Sequence, residues 1–316
     1  MFDRTAIAVT GVGIALPGAS TLAEVPAPRG AEPVDPAERL GKKGLRYKDR
    51  ATRLGLVAAY DALRHGDLLG EDSRAGVDVD PASVGVIVSS NLGNLDSVCD
   101  VVGTIAENRG TRLVSPITTP NLSSNVIASE VAIRYQLRGP NLTVCNGATS
   151  GLDAVRWAKT WLRSGRMRFA LLVGAEPDTE VARELTGSRR IVDGAVALLL
   201  EPLSSAVQRG TRPLALVGDH VRAAEVPQVL SRLGGEPRRW YPPEGGADLA
   251  GPDDAVRAVV DEDRGACSGL YGLLQCVLAV ADFQSGLDGP VLAVAGGPGD
   301  DGCAGLMLTP ARMGAR

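Results

Sequence analysis

The fold is decided by one stretch of the sequence, which reads N-L-T-V-C-N-G-A-T-S-G-L-D-A over residues 141–154. Residues 142–144 are apolar and β-branched enough to end a buried strand, and Asn146 and Gly147 then break that strand. From Gly151 onward, apolar side chains and two indoles recur at helical spacing, which predicts a helix as far as Arg163. The stretch is therefore predicted to pass from a strand through a tight turn into a helix.

A turn of this shape places its apex at the start of a helix. Unpaired N–H groups and the positive end of the helix dipole lower the pKa of a thiol there and hold an oxyanion. The apex of this turn is Ala148, which has no nucleophilic atom. Two nearby residues, Cys145 and Ser150, are the alternative candidates for a nucleophile. Cys145 is predicted to be a packed core thiol, and Ser150 is predicted to cap the helix.

The composition restricts the functional classes. The 316 residues are 44% hydrophobic with a net charge of −4, which is enough for one large core or two fused cores. No apolar run reaches the ~18 residues of a membrane span and no export signal is visible, so we expect a cytoplasmic protein. With no basic run and 3% aromatics, no nucleic-acid partner is expected. Five scattered cysteines, an odd number, argue against disulfides and a metal site and are predicted to be core thiols.

The second half of the chain repeats the first in shortened form. Residues 212–221 echo 5–14, the helix that opens at 268–270 echoes the one that opens at 150–152, and 291–297 echo 171–176. Each copy alternates strands with helices, which predicts largely parallel sheets covered on both faces. The two helices that follow the turns, at 151–163 and 269–284, are apolar nearly all round, which predicts that both are buried.

The turn resembles the elbow of the β-ketoacyl synthases of the thiolase fold, which reads T-A-C-(S/T)-S-G. When the two sequences are aligned on that motif, Ala148 occupies the position of the family's acyl-accepting cysteine. The continuation G-L-D-A at 151–154 is similar to a narrower group, the chain length factors, which are the catalytically silent β subunits of type II polyketide synthases and usually carry Gln at the apex. The resemblance covers nearly all of 5–202. It implies an α/β, five-layered αβαβα sandwich of two pseudo-symmetric halves, 1–205 and a shortened 206–316.

The resemblance also implies that the catalytic residues are missing. The family needs a cysteine that accepts the acyl chain and two histidines that stabilise the enolate. Ala148, Glu244 and Ala266 stand at those three places, so no catalytic residue and no metal is expected. Glu244 and Asp248 lie in a Gly- and Pro-rich segment and are predicted to belong to a solvated loop.

The function implied by this resemblance is that of a non-catalytic subunit. It would form a heterodimer with an active ketosynthase α subunit, serve an acyl carrier protein, and line part of the acyl tunnel. No cofactor is expected; the ligand of the complex would be the phosphopantetheine-linked acyl chain of the carrier protein. Leu122 is the bulkiest candidate for a chain-length stop. The tunnel and interface candidates are Thr118, Thr119, Leu122, Ser123, Asn125 and Val126.

Two alternatives stay open at this point. The chain could be an autonomous decarboxylase or acyltransferase acting on carrier-bound substrates. It could also be a homodimeric, non-enzymatic scaffold that binds an acyl carrier protein. A covalent adduct or product release would separate the enzyme from the other two hypotheses, and co-purification with a ketosynthase would favour the non-catalytic subunit.

Overall fold

The computed structural model describes residues 5–28, 32–70, 76–246, 248–260 and 262–311. Within these ranges the chain is an α/β protein whose strands form one mixed sheet. The strands are β1 (Ile7–Ala15), β2 (Val84–Ser89), β3 (Asn141–Val144), β4 (Phe169–Glu176), β5 (Gly194–Pro202), β6 (Ala215–Ala223), β7 (Arg239–Tyr241), β8 (Val256–Arg257), β9 (Val291–Ala295) and β10 (Cys303–Pro310). The α-helices are α1 (Pro36–Leu40), α2 (Arg50–His65), α3 (Leu95–Asn108), α4 (Val126–Arg134), α5 (Ser150–Arg163), α6 (Glu180–Thr186), α7 (Leu203–Arg209), α8 (Val226–Leu233) and α9 (Tyr271–Gln284).

The strand order displays the internal repeat. It is β3-β2-β4-β5-β1 in the first half and continues as β6-β10-β9-β7-β8 in the second. If the five strands of each half are numbered along the chain, both halves have the order three, two, four, five, one from the outer edge of the sheet to its centre. The halves meet where β1 pairs antiparallel with β6, with Ile7 opposite Val217. The predicted α/β architecture of two pseudo-symmetric halves is confirmed, whereas the domain boundary at 205/206 stays a prediction.

The sheet is not largely parallel, contrary to the prediction from the repeat. β2 runs parallel to β3 and β4, and β7 runs parallel to β8 and β9, but β4–β5, β9–β10 and the pairs around β1 and β6 are antiparallel. In the second half, one reason is the connection between its last two strands. β9 and β10 are joined by a short turn without a crossover helix, and such a turn can join only antiparallel neighbours.

The outer face of the first half is covered by α2, whose start after Asp49 is also what the sequence pattern predicts. The carboxylate of Asp49 accepts from the N–H of Thr52 at 2.7 Å and caps this helix. The helix lies so close to β1 that a Cβ on Gly13 would be 1.8 Å from the carbonyl oxygen of Ala58. The Gly-x-Gly of the first strand therefore serves helix–strand packing. On the second half, α8 packs against β6 and β10.

The middle layer consists of α5 and α9, which contact strands of both halves. They approach most closely at two glycines, because a Cβ on Gly151 would lie 2.7 Å from the backbone nitrogen of Leu273, and one on Gly272 equally close to that of Leu152. α9 is buried along nearly its whole length, as predicted. The same prediction is wrong for α5: it buries one side and exposes the other, where Trp157 is 42% exposed.

Other differences from the sequence predictions lie at the edge of the first half. The apolar residues over 122–133 predict a helix there, but the helix begins only at Val126, and Thr119–Leu122 form a 3₁₀ turn. The sequence pattern did not reveal α3, in which no residue is buried. The prediction of core thiols is right for Cys267, Cys276 and Cys303 and wrong for Cys99 and Cys145, which are exposed. Cys145 follows the last residue of an edge strand, where no neighbouring strand covers it. Within the described ranges, no helix has both the length and the apolar character needed to cross a membrane.

Candidate functional site

The elbow has the predicted strand, turn and helix. β3 ends at Val144, Gly147–Thr149 form a 3₁₀ turn, and α5 begins at Ser150. Gly147 has a φ of +69°, a left-handed conformation that favours glycine, and thereby reverses the chain before the helix. Ala148 is half-buried at the apex and presents only a methyl group.

Ser150 holds the turn and does not cap the helix, so the capping prediction is wrong. Its fully buried hydroxyl accepts from the N–H of Asn146 at 2.6 Å, and the N-cap residue Thr149 makes no side-chain cap bond. The same oxygen lies 2.8 Å from the carbonyl oxygen of Gly147 and 3.1 Å from Oδ1 of Asn91, both of which can accept its proton. Neither partner is a base that could activate the serine.

The thiol of Cys145 is exposed, but its electrostatic surroundings make it a poor nucleophile. Partial desolvation of the sulfur, and then the nearby charge of Glu176, raise the pKa of this thiol above its ordinary value. Reactive cysteines lie in electropositive surroundings that lower the pKa. Cys145 is therefore a protonated thiol at neutral pH.

Asp153, the acid of the G-L-D-A sequence, is buried on the core side of α5. Its Oδ2 accepts from the side-chain amide of Asn146 at 3.1 Å, the hydroxyl of Thr149 at 2.8 Å and the guanidinium of Arg222 at 3.1 Å. Its Oδ1 lies 3.7 Å from Nε2 of His220. Burial lowers the pKa of His220 to about 4 although Asp153 opposes the shift, so this imidazole is neutral. Asp153 thus ties the elbow to β6.

A second buried carboxylate, Glu176 at the end of β4, connects the two halves. It accepts from the N–H of Asn91 at 2.7 Å, of Leu92 at 2.9 Å and of Gly269 at 3.0 Å, and from the hydroxyl of Ser90 at 3.3 Å. Burial raises the pKa of Glu176 to about 7 in opposition to these hydrogen bonds. Asn91 adds a further link, because its amide donates to the carbonyl of Gly147 and to the hydroxyl of Ser268, each at 2.9 Å.

Glu244 is solvent-exposed, as predicted for a loop, but its carboxylate is engaged. It accepts from the N–H groups of Cys267 and Ser268, the second at 3.0 Å, and partial desolvation raises its pKa. Ser268 has a φ of +46°, so successive N–H groups of this turn converge on one side. Three consecutive N–H groups, at 267–269, are therefore bound by the two carboxylates Glu176 and Glu244.

The three positions at which the family motif has its catalytic residues are brought together. Ala148 lies in the Gly147–Thr149 turn, which is adjacent to the Ser268–Leu270 turn. Ala266 and Glu244 line one pocket of about 200 Å³, together with Cys267 and Tyr271 and several prolines, valines and glycines. Burial and then the charge of Glu244 raise the pKa of Cys267 well above its ordinary value, so this thiol is also protonated.

The tunnel and interface candidates lie on the turn before α4. The hydroxyls of Thr118 and Thr119 donate to the carbonyl of Ser115, and the carbonyl of Leu122 accepts from the amide of Asn94 at 2.9 Å. Ser123 donates to Asn125 at the surface, Leu122 is half-buried, and Val126 is buried in the core beneath α2. Their role in a tunnel stays a prediction.

Sequence reasoning missed an apolar surface beside these residues. It is formed by α3, the segment after α3 and the end of α4, and we call it the apolar surface; its large exposed side chains are Val102, Ile105, Leu113, Ile117 and Ile133. Their exposed fractions run from 37% for Ile105 to 71% for Ile133. β3 forms the adjacent free edge of the sheet. Apolar residues on every third or fourth position of 98–105 were the signal that could have revealed α3.

Residues 30–186 match the family model for the Beta-ketoacyl synthase, N-terminal domain. The chain therefore contains a ketoacyl-synthase family domain. The chain is 30% identical over 142 residues to 3-oxoacyl-[acyl-carrier-protein] synthase 2 of Vibrio harveyi, covering 45% of this chain and 32% of that protein. It is 25% identical over 260 residues to a Streptomyces violaceoruber protein assigned as granaticin polyketide beta-ketoacyl synthase 1, covering 72% of this chain and 57% of that protein. The matches thus span between a third and somewhat over half of these relatives.

Solved structures support a ketosynthase-like fold for the chain. The ishigamide ketosynthase/chain length factor superposes with a TM-score of 0.79 at 23% identity, covering 96% of this chain and 99% of that one. A type II PKS acyl-carrier protein in complex with its ketosynthase bound to the hexaketide provides a chain with the same TM-score at 15% identity, covering 98% of this chain and 100% of that one. These likenesses establish the thiolase-like fold. In the described part of the chain, no group of three or more His, Cys, Asp or Glu side chains is arranged to hold a metal.

Proposed function

We propose that this chain is a non-catalytic ketosynthase-like subunit of the chain length factor type. It would pair with an active β-ketoacyl synthase in type II polyketide biosynthesis and shape the acyl tunnel. The observation that carries the proposal is that the elbow keeps the strand, turn and helix of a nucleophile site while its apex is Ala148. Chemistry that begins with an acyl-thioester on the apex residue has no acceptor atom there.

The surroundings of the elbow support a role without catalysis. Cys145 is held as a thiol, and the neutral imidazole of His220 is enclosed beside Asp153. The other histidine of the sequence, His65, places Nδ1 3.3 Å from the backbone nitrogen of Val12, on the far side of β1. Cys145, His220 and His65 are therefore not arranged as the thiolate–imidazole pair that activates a cysteine nucleophile.

Pairing is supported by the apolar surface and by the free edge of β3. Exposed apolar side chains of this size, next to an unpaired strand edge, are typical of surfaces that associate with another protein. The superposed ketosynthase/chain length factor structure makes an active ketosynthase the partner of choice. The same surface is compatible with a homodimer, so the experiment below has to separate the two assemblies.

Binding of an acyl carrier protein is supported by a cationic segment that precedes α2. Lys42, Lys43 and Arg46 are exposed, and the guanidinium of Arg46 stacks on the ring of the half-exposed Tyr47 at 5.2 Å. The amide of Asn121 donates to the carbonyl of Tyr47 at 2.9 Å, which joins this segment to the turn of the tunnel candidates. Such a surface complements an acidic carrier protein. Its phosphopantetheine-linked acyl chain would be the ligand of the complex.

The test is co-expression with an intact ketosynthase that keeps its cysteine and both histidines, followed by co-purification and measurement of the mass of the complex. We expect a one-to-one heterodimer. Val102→Asp should abolish co-purification because it places a charge in the apolar surface, while the matched control Val207→Asp, an exposed valine on α7, should not. A homodimer that ignores the ketosynthase would contradict the proposed pairing.

The isolated chain provides the second test. It should neither condense malonyl thioesters nor gain mass after incubation with acyl-carrier thioesters. An adduct on Cys145, or released product, would establish the autonomous enzyme in place of the non-catalytic subunit.

Length control follows from the proposed tunnel position of Leu122. Leu122→Phe should shorten the product and Leu122→Ala should lengthen it, because each buried CH₂ of an acyl chain gains about 0.8 kcal/mol until a wall stops it. The rate of the partner's first condensation should stay the same, since no catalytic group changes. Product lengths from the co-expressed pair measure this; the same distribution in both variants, with the complex intact, would return Leu122 to plain packing.

A further inference from the structure

We infer that the solvent side of α5 and the loop after it form a docking surface for an acidic α-helix of another protein. This arginine–tryptophan face consists of Arg156, Trp157, Arg163, Arg166 and Arg168, and all five residues are exposed. The segment 156–168 reads R-W-A-K-T-W-L-R-S-G-R-M-R and contains five cations and no acid, in a chain whose net charge is −4. The face is therefore strongly cationic on an acidic protein.

The four arginines of the face are electrostatically available. Among the described residues, none of their nitrogens lies within 4.0 Å of a carboxylate oxygen. Arg163 donates to the carbonyl of Thr5, and Arg168 stacks on the ring of Phe169 at 5.7 Å. The fifth cation of the segment, Lys159, is buried, and its Nζ lies 3.6 Å from Oδ1 of Asp219. Only the arginines are left for a partner.

An exposed indole stands among these charges. Trp157 is 42% exposed, and its ring lies 6.0 Å from that of the half-buried Trp161 at an interplanar angle of 54°. Arginine and tryptophan are the side chains most enriched among residues that dominate protein–protein binding energy. Trp157 is placed to act as the anchor of the contact, with the arginines around it.

The spacing of the charges favours a helix as the occupant. Arg156 and Arg163 are seven residues apart on α5, which places them two turns apart on one side, about 10.5 Å along the axis. Carboxylates seven residues apart on a second helix repeat the same distance. A membrane would need several apolar side chains for insertion, but the apolar side of α5 is buried in the core.

The face lies away from the elbow. The N–H of Arg168 donates to the carbonyl of Ser83 just before β2, and Thr5, the partner of Arg163, precedes β1. Arg163 and Arg168 therefore lie near the starts of β1, β2 and β4. The elbow follows the end of β3, which runs parallel to β2, so it lies at the opposite end of these strands. The inference therefore stands independently of the proposed function, whose surfaces lie at the elbow, on α3 and in the segment before α2.

The experiment titrates the full chain with a labelled, monomeric helical peptide that carries glutamates seven residues apart on one side, at low salt, and follows fluorescence anisotropy. The control peptide has the same composition with the glutamates spread around the helix. We expect the one-sided peptide to bind about tenfold more tightly than the control peptide. The double variant Arg156→Glu/Arg163→Glu and the single variant Trp157→Ala should each lose about tenfold in affinity. Arg189→Glu, the same charge reversal at another exposed site, should bind within about twofold of the unchanged chain.

Three results would overturn the inference: equal affinity for both peptides, unchanged affinity in the double variant, or tighter binding of a single-stranded RNA homopolymer or of anionic lipid vesicles. If the double variant melts at a lower temperature, Arg166→Gln/Arg168→Gln replaces it. Those two side chains lie beyond the end of α5, so the helix is untouched. Retained affinity in that variant would likewise count against the face.

Discussion

The helices α5 and α9 follow equivalent turns in the two halves of the chain, yet they are buried to different extents. They cross at Gly151 and Gly272, where their backbones touch, so the repeat places both in the middle layer. α9 is enclosed on all sides and reads as an apolar run, whereas α5 has one buried side and one side of arginine, tryptophan and threonine. The repeat thus determines where a helix lies, and the elements around it determine how much of its surface is left for other molecules.

The largest loss of stability is expected from a substitution in α9. Leu273→Ala removes a fully buried side chain that lies against Gly174 of β4 and should lower the free energy of unfolding by about 3 kcal/mol. Trp157→Ala, on the exposed side of α5, should cost less than about 1 kcal/mol although more atoms are removed. Urea denaturation measures both. Similar losses at the two positions would contradict the difference between the helices.

The pH dependence of stability tests the contact between the first half and the turn that precedes α9. The pKa of Glu176 is raised from 4.5 to about 7 in the folded chain, so the folded state binds more protons than the unfolded state between these values. Stability from this group is therefore fully present below pH 4.5 and is lost as the pH rises through 7, by about 3 kcal/mol in total. Glu176→Gln should remove this slope from a series of urea denaturations at different pH.

The matched control for that series is Glu184→Gln, which changes an exposed glutamate on α6 and should leave the slope as it is. A slope of the opposite sign would mean that the hydrogen bonds from Asn91, Leu92 and Gly269 outweigh burial and hold Glu176 ionised.

A single added methyl group tests how closely α5 and α9 approach each other. Gly151→Ala places a Cβ 2.7 Å from the backbone nitrogen of Leu273, which cannot move without shifting α9, so we expect a loss of about 2 kcal/mol. Gly103→Ala makes the same change in α3, where no atom lies within 4 Å, and should stabilise the chain by up to about 1 kcal/mol. Thermal unfolding of the pair would decide; equal shifts would mean that the helices can separate freely.

The smallest expected effect belongs to Cys145→Ala. Because the thiol is exposed and protonated, we expect less than about 0.5 kcal/mol in stability and no loss of co-purification with a ketosynthase. Loss of function in this variant, with its stability unchanged, would give Cys145 a chemical role that the raised pKa argues against.

Elements with strong local signals could be predicted from the sequence. The strand, turn and helix of residues 141–163 are found where the sequence predicts them, with the start of the helix one residue earlier than predicted. The exposure of Cys145 could not be predicted, because it depends on β3 lying at the edge of the sheet, which is a property of strand order. The segment 156–168 was overlooked as a cationic surface because neutral residues separate its charges along the chain.

The polar connections of the candidate site were equally inaccessible to sequence reasoning. Glu176 and Gly269 are 93 residues apart, and Asp153 and Arg222 are 69 residues apart. Only a resemblance could place Ala148, Ala266 and Glu244 near one another. The hydrogen bonds of Glu244 to the N–H groups of Cys267 and Ser268 had no sequence signal, because carboxylates in Gly- and Pro-rich loops are most often solvated.

The two carboxylates on the N–H groups at 267–269 have a consequence for any attempt to install a nucleophile at the apex. A turn with converging N–H groups is a natural receptor for a developing oxyanion, but in this chain its donors are already occupied by Glu176 and Glu244. Ala148→Cys would therefore supply an acyl acceptor without freeing these N–H groups for an oxyanion. A second substitution that removes the carboxylate of Glu244 would be needed to free the N–H groups of Cys267 and Ser268.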